Sequence, residues 1–204
     1  EVLDVMKELA REGMMITQVY GMTETCGDGL VNYAQAEPHI RALGKPDGHC
    51  EYKLDETGEI CIRGNSVMLG YYKDPEATAE VIDKDGWFHT GDLGYMDSSG
   101  YIFFTGRRKN LIVLPNGENV SPEELEEKLY RIDGVEDALV SQDGGVICAE
   151  VYADAEIIPD TEELQKVIDR LNASLPMFKQ ISRITLRKEP FEKTSTQKIK
   201  RRGA

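Results

Sequence analysis

Apolar positions fall into three textures along the chain. Val2, Val5, Met6 and Leu9 recur at helical spacing over residues 1–12, so an amphipathic helix stopped near Gly13 is predicted. Met14 to Tyr20 predicts a buried strand that runs into Gly21. From Pro38 to Phe104 short alternating runs take over, among them Glu59-Ile-Cys-Ile-Arg63 and Tyr101-Ile-Phe-Phe-Thr105. Asp-Gly, Thr-Gly and Ser-Gly pairs separate these runs, which predicts a β-rich region with tight turns.

The third texture begins after Gly106. Ser121-Pro122-Glu123-Glu124 is a helix start: a capping serine, proline at the first helical position, and Glu124 placed to close a capping box. Leu125, Leu129 and Ile132 continue its apolar face. Strands are expected near 135–141 and 146–152, with Asp143-Gly144-Gly145 turning between them. Asp160-Thr161-Glu162-Glu163 caps a second helix, whose stripe is Leu164, Val167, Ile168 and Leu171. Pro176 ends that region, and Ile184 and Leu186 mark a further strand. The order β-α-β-β-α-β predicts a small α+β domain with its helices on one sheet face. Glu189 to Ala204 is basic with little apolar content and is expected to be a mobile tail.

Composition narrows the function classes. The 204 residues are 40 % hydrophobic and 30 % charged, which suits a globular protein rather than a disordered one. A net charge of −13 argues against general nucleic-acid binding, which needs a basic surface to displace counterions from phosphates. The four cysteines are scattered with no C-x-x-C pair, and His39, His49 and His89 add no zinc spacing, so free thiols in a reducing, cytoplasmic setting are expected. No apolar run approaches the roughly 18 residues a transmembrane helix needs. The basic end leaves peripheral contact with an anionic lipid surface open. The chain opens on Glu1 inside a helical stripe, which suggests an excised segment.

Several short segments could carry chemistry. Tyr20-Gly21-Met22-Thr23-Glu24 joins a strand to a loop, where glycine lets backbone approach a ligand and Thr and Glu suit a phosphate and its metal. In Thr90-Gly91-Asp92 the aspartate suits the two hydroxyls of a ribose, although taken alone it reads first as a turn residue. Gly106-Arg107-Arg108-Lys109-Asn110 is either a solvated basic hinge or an arginine reaching a nucleotide. Pro115-Asn116-Gly117 alone is a turn, and Lys198 alone an ordinary exposed lysine.

Order and spacing change this picture. The succession YGMTET (20–25), GEICIRGNSVMLGYY (58–72), DPEAT (74–78), WFHTGDLGYMDSSGYIFFTGRRKNLIV (87–113), NGENVSPEELE (116–126) and KTSTQKIKR (193–201) resembles the adenylate-forming superfamily. That group holds acyl-CoA synthetases, luciferases and the adenylation domains of peptide synthetases. The segment LPNGENVSPEEL is similar to long-chain-fatty-acid–CoA ligases, of which the chain resembles the C-terminal part.

The resemblance implies a fold and a set of roles. Residues 1–106 would be the end of a larger AMP-binding domain, a βα edge plus a distorted β-barrel subdomain at about 38–104. Residues 107–204 would form a small, mobile α+β lid domain. Thr23 would contact the α-phosphate and Glu24 the Mg2+, with Tyr20, Gly21 and Met22 lining the adenine and acyl side. Asp92 would bind the ribose with Arg107 assisting, Lys109 would be the hinge, and Gly117 would lie along the pantetheine arm of CoA. Lys198 would bridge the acyl carboxylate and the α-phosphate. Two departures stand out: Gln197 replaces the glycine usual before that lysine, and Val113 stands where several relatives carry a second lysine.

The implied substrates are a carboxylic acid, ATP and CoA, joined through an acyl-adenylate, and the acid expected is a fatty acid. The family's Ser/Thr/Gly-rich phosphate loop is lacking, so these residues alone are expected to be inactive and, with an uncovered helix face, to self-associate. Two alternatives stay open: an adenylation enzyme loading a carrier-protein phosphopantetheine, and a non-catalytic nucleotide-binding module.

Overall fold

The computed structural model describes residues 2–34, 36–46, 48–194 and 198–201. The expectation on Gln197 therefore lies outside the described residues. The chain divides into two compact units, residues 1–109 and 110–204.

In the first unit α1 spans Val2–Arg11. It ends where Gly13 takes φ +79° and the Met14 amide donates back to the Leu9 carbonyl at 3.0 Å, a left-handed cap that a side chain would strain. Met6 is buried, Leu9 half-buried and Val5 exposed, so only part of the apolar stripe is covered. The strand expected from Met14 is shorter than predicted. β1 covers Gln18–Gly21, while Met14 and Met15 are 47 % and 71 % exposed. Its partner β2 (Gly29–Asn32) runs antiparallel and ends opposite Gln18, so no ladder reaches further back. A two-residue strand β3 (Lys45–Pro46) completes the sheet β1-β2-β3.

The turn-rich region forms an antiparallel meander of β4 (Cys50–Leu54), β5 (Glu59–Gly64), β6 (Phe88–Met96) and β7 (Ile102–Arg107). A bridge between Gly44, just before β3, and Ile102 on β7 joins the two sheets, a curl consistent with a partial barrel. Leu30, Ile60, Ile62 and Ile102 fill its centre. Between β5 and β6 lies α2 (Pro75–Val81), capped by the Asp74 carboxylate accepting from the Ala77 amide. The apolar pattern does not announce α2, because it buries no residue.

The second unit opens with a hairpin of β8 (Ile112–Val113) and β9 (Asn119–Val120) and continues into α3 (Pro122–Tyr130). Then come β10 (Val135–Asp143), β11 (Val146–Ala153), α4 (Thr161–Asn172) and β12 (Ile181–Leu186). β10 and β11 are antiparallel, and α4 carries the chain over to a parallel β12. Alternate residues Ala138, Val140, Ile147, Ala149 and Val151 pack in one core with Leu125, Leu129, Leu164 and Ile168, so both helices cover the same sheet face.

Two expectations here are corrected. Ser121 caps α3 by accepting from the Glu124 amide, but the Glu124 carboxylate pairs with Lys179 Nζ at 2.6 Å instead of closing a capping box. Several described residues of the basic end are also tied down. Phe191 is buried under the Arg187 guanidinium, Lys193 pairs with buried Asp137 at 2.9 Å, and Arg201 binds Glu126 at 2.7 Å. Carboxylates of β10 and α3 hold cations that composition alone makes look solvated. No described helix is long and apolar enough to cross a membrane.

Candidate functional site

Tyr20 of β1, Asp92 of β6 and Arg107 of β7 meet in the first unit. Opposite β5, strand β6 carries a bulge: Glu59 pairs with Leu93 and Cys61 with His89, so Thr90, Gly91 and Asp92 stand against Ile60 alone. Gly91 takes φ +73° there, with open space where a Cβ would sit, so conformation rather than room demands glycine. The bulge turns Asp92 inward, where it is 3 % exposed, opposite Arg107 in the β6–β7 ladder.

The Asp92 carboxylate is held asymmetrically. Tyr20 donates its hydroxyl to Oδ2 at 2.8 Å. Arg107 Nε lies 3.0 Å from Oδ1, yet Oδ1 is buried without a hydrogen bond among the described residues. A buried, unsatisfied carboxylate oxygen is an acceptor waiting for a donor. Burial raises the Tyr20 phenol well above its ordinary pKa, and the Asp92 charge adds to that, so Tyr20 remains a donor.

The loop after β1 presents Thr23 and Glu24. A short turn over Thr23–Thr25 is locked by buried Thr25, whose hydroxyl donates to the Asp28 carbonyl at 2.6 Å. Thr23 is exposed and Met22 half-buried. The glycines here serve the protein's own turn: a Cβ on Gly21 would lie 2.5 Å from the Gly27 carbonyl oxygen, and one on Gly29 1.6 Å from that of Tyr20. The close approach expected at Gly21 is thus between two backbone segments. Glu24 Oε1 accepts from the Tyr71 hydroxyl at 2.9 Å, which leaves Oε2 for a cation. One carboxylate beside phosphate oxygens is a donor set that suits Mg2+.

Composition hides another cluster. Atoms of Asp55, Glu59, Cys61 and His89 all lie within 4.8 Å of one another. Glu59 is 2 % exposed; its Oε1 accepts from the Gly91 amide at 2.8 Å, and its Oε2 from Arg108 at 2.8 Å with His89 Nδ1 3.0 Å away. A guanidinium already occupies the carboxylate, so the set does not fit a resident cation. Burial, with the Glu59 charge next, pushes the Cys61 thiol up to about 11. Glu59, Tyr71, Thr90 and Arg108 all lie within the quoted segments, but sequence reasoning gives none of them a role of its own.

Lys109 is exposed and is the last residue of the first unit. In the second unit Gly117 is the φ +84° residue of the β8–β9 turn, where its amide donates to the Leu114 carbonyl at 2.8 Å. Lys198 is exposed; its carbonyl accepts from the Thr194 amide at 2.8 Å, next to a bridge between Lys193 and Ile199.

Comparison with known proteins adds to this geometry. Residues 2–72 match the family model described as AMP-binding enzyme, and residues 109–204 match the AMP-binding enzyme C-terminal domain. The chain is 40 % identical over 139 residues to a sulfoacetate–CoA ligase of Cupriavidus necator, covering 63 % of this chain and 27 % of that protein. It is 41 % identical over 117 residues to a long-chain-fatty-acid–CoA ligase of Gallus gallus, covering 55 % and 15 %. Its fold is similar to the o-succinylbenzoate–CoA synthetase of Bacillus subtilis in complex with ATP and magnesium. That match has a TM-score of 0.80 and 28 % identity, and covers 97 % of this chain and 42 % of that one. The chain thus spans about a quarter or less of the length of these curated relatives.

Proposed function

The chain belongs to the AMP-binding enzyme family, and we propose that it serves an acid–thiol ligase that activates a carboxylic acid with ATP and passes the acyl group to CoA. The observation that carries this reading is Asp92: a buried carboxylate anchored by Tyr20, with an unsatisfied oxygen beside Arg107. A ribose hydroxyl supplies the missing donor.

In the first half-reaction the acid's carboxylate attacks the α-phosphorus, the bond to the β-phosphate breaks, and acyl-adenylate and pyrophosphate result. Two anions meet in that step, so the residues' work is to neutralise and orient. Tyr20, Gly21 and Met22 border the nucleotide, Asp92 holds its ribose, and Thr23 faces the α-phosphate. Glu24 would hold Mg2+, which when bound offsets phosphate charge. Lys198 would approach the carboxylate and the α-phosphate, and Lys109 would serve as the pivot between the two half-reactions. In the second half-reaction the CoA sulfur attacks the acyl carbon and AMP leaves, with Gly117 beside the pantetheine arm. Four free cysteines support a reducing, cytoplasmic setting.

The acid we favour is a fatty acid, on the LPNGENVSPEEL segment and the similarity to the Gallus gallus ligase. Other relatives are named for sulfoacetate and indoleacetate, so the acid is the point to test. The full-length protein with ATP, CoA and a panel of acids should release AMP in an acid-dependent manner, fastest with fatty acids. AMP release with no acid at all would overturn the reading, and a preference for short polar acids would overturn the fatty-acid part.

A further inference from the structure

We infer that Glu59 is a positioning residue for nucleotide recognition, fixing the bulge from which Asp92 reaches the ribose; the inference rests on the role proposed for Asp92. The bulge withdraws the Gly91 N–H and the Ile60 carbonyl from the regular β5–β6 ladder. Both find substitutes: Glu59 Oε1 accepts from Gly91 at 2.8 Å, and the Thr90 hydroxyl donates to the Ile60 carbonyl at 2.8 Å. Nothing lies within 4 Å of where a Gly91 Cβ would be, so at Gly91 itself the backbone is held by its hydrogen bond rather than by packing.

Glu59 Oε2 ties in the flanking residues, with Arg108 donating at 2.8 Å and His89 Nδ1 at 3.0 Å. One carboxylate thereby brackets Asp92 on β6 and Arg107 on β7, the pair that faces the ribose. A buried carboxylate is tolerated only when its oxygens are bonded. An amide cannot replace it, because glutamine has one acceptor atom where this site uses two. The site is therefore built for a charge, and what the charge holds is the loop that carries Asp92.

The test uses acid-dependent AMP formation by the full-length protein with ATP, 2′-deoxy-ATP and 3′-deoxy-ATP. A site that hydrogen-bonds a hydroxyl discriminates against the analogue lacking it, so wild type should prefer ATP by about tenfold or more in kcat/KM. Asp92→Asn should bring that ratio close to one. Glu59→Gln should lower it at least about threefold while kcat/KM for the deoxy nucleotide holds within about twofold. Ile62→Val, a mild change in the same strand, should leave the ratio alone. An equal loss for all nucleotides in Glu59→Gln overturns the positioning role and leaves that of Asp92 standing. A wild-type ratio near one overturns both. If Glu59→Gln does not fold, Glu59→Asp carries the test: it keeps the charge but draws the carboxylate back from the Gly91 amide, and an unchanged ratio there overturns the inference.

Discussion

At the residue scale the site depends on a few polar atoms held in a dry setting. Among the described residues Tyr20 supplies the one hydrogen bond to the buried Asp92 carboxylate, so Tyr20→Phe should destabilise the protein by about 1–3 kcal/mol, as leaving a buried acceptor unpaired does. Urea unfolding of the two proteins measures it, and no change in midpoint would contradict the anchoring role. Cys61 gives a prediction with a sign. A thiol pushed up to about 11 has almost no thiolate at pH 8, whereas Cys26 is exposed. Native protein treated with iodoacetamide at pH 8 should be modified at Cys26 long before Cys61, read by peptide mass spectrometry. Equal rates would contradict that environment. Asp92 is legible only through the six segments taken in order, since its own neighbours mark no more than a turn. The role of Glu59 is not legible even so, because its partner amide lies 32 residues away and only the folded ladder brings the two together.

At the element scale, legibility follows caps and stripes. α3 and α4 each begin on a side chain that accepts an amide three residues on, Ser121 from Glu124 and Asp160 from Glu163, and each buries leucines at helical spacing. Both are read correctly from such local signals. α2 has its cap but no buried face, so periodicity says nothing about it. The strand drawn back to Met14 fails for the opposite reason: the residues are apolar, but β2 stops opposite Gln18. Ser121→Ala should cost about 1 kcal/mol, typical of a lost cap. Leu129→Ala, emptying a fully buried position of the same helix, should cost about 2–5 kcal/mol. Chemical denaturation that ranks the cap above the core would contradict this division of labour.

At the scale of the whole molecule, family membership was legible from six segments in order, and the chain divides into two compact units between Lys109 and Asn110. The second unit has a core of its own in which two helices and three strands share one face. Residues 110–204 produced alone should therefore unfold in one cooperative transition; a featureless melt would contradict an independent core. The role proposed for Lys198 is read from the two half-reactions of Lys198→Ala in the full-length protein. Acid-dependent ATP–pyrophosphate exchange should fall by about a hundredfold or more, as when a charge-stabilising donor is removed, while acyl-CoA formation from supplied acyl-adenylate should stay near the wild-type rate. Equal loss of both half-reactions, or loss of neither, would contradict it.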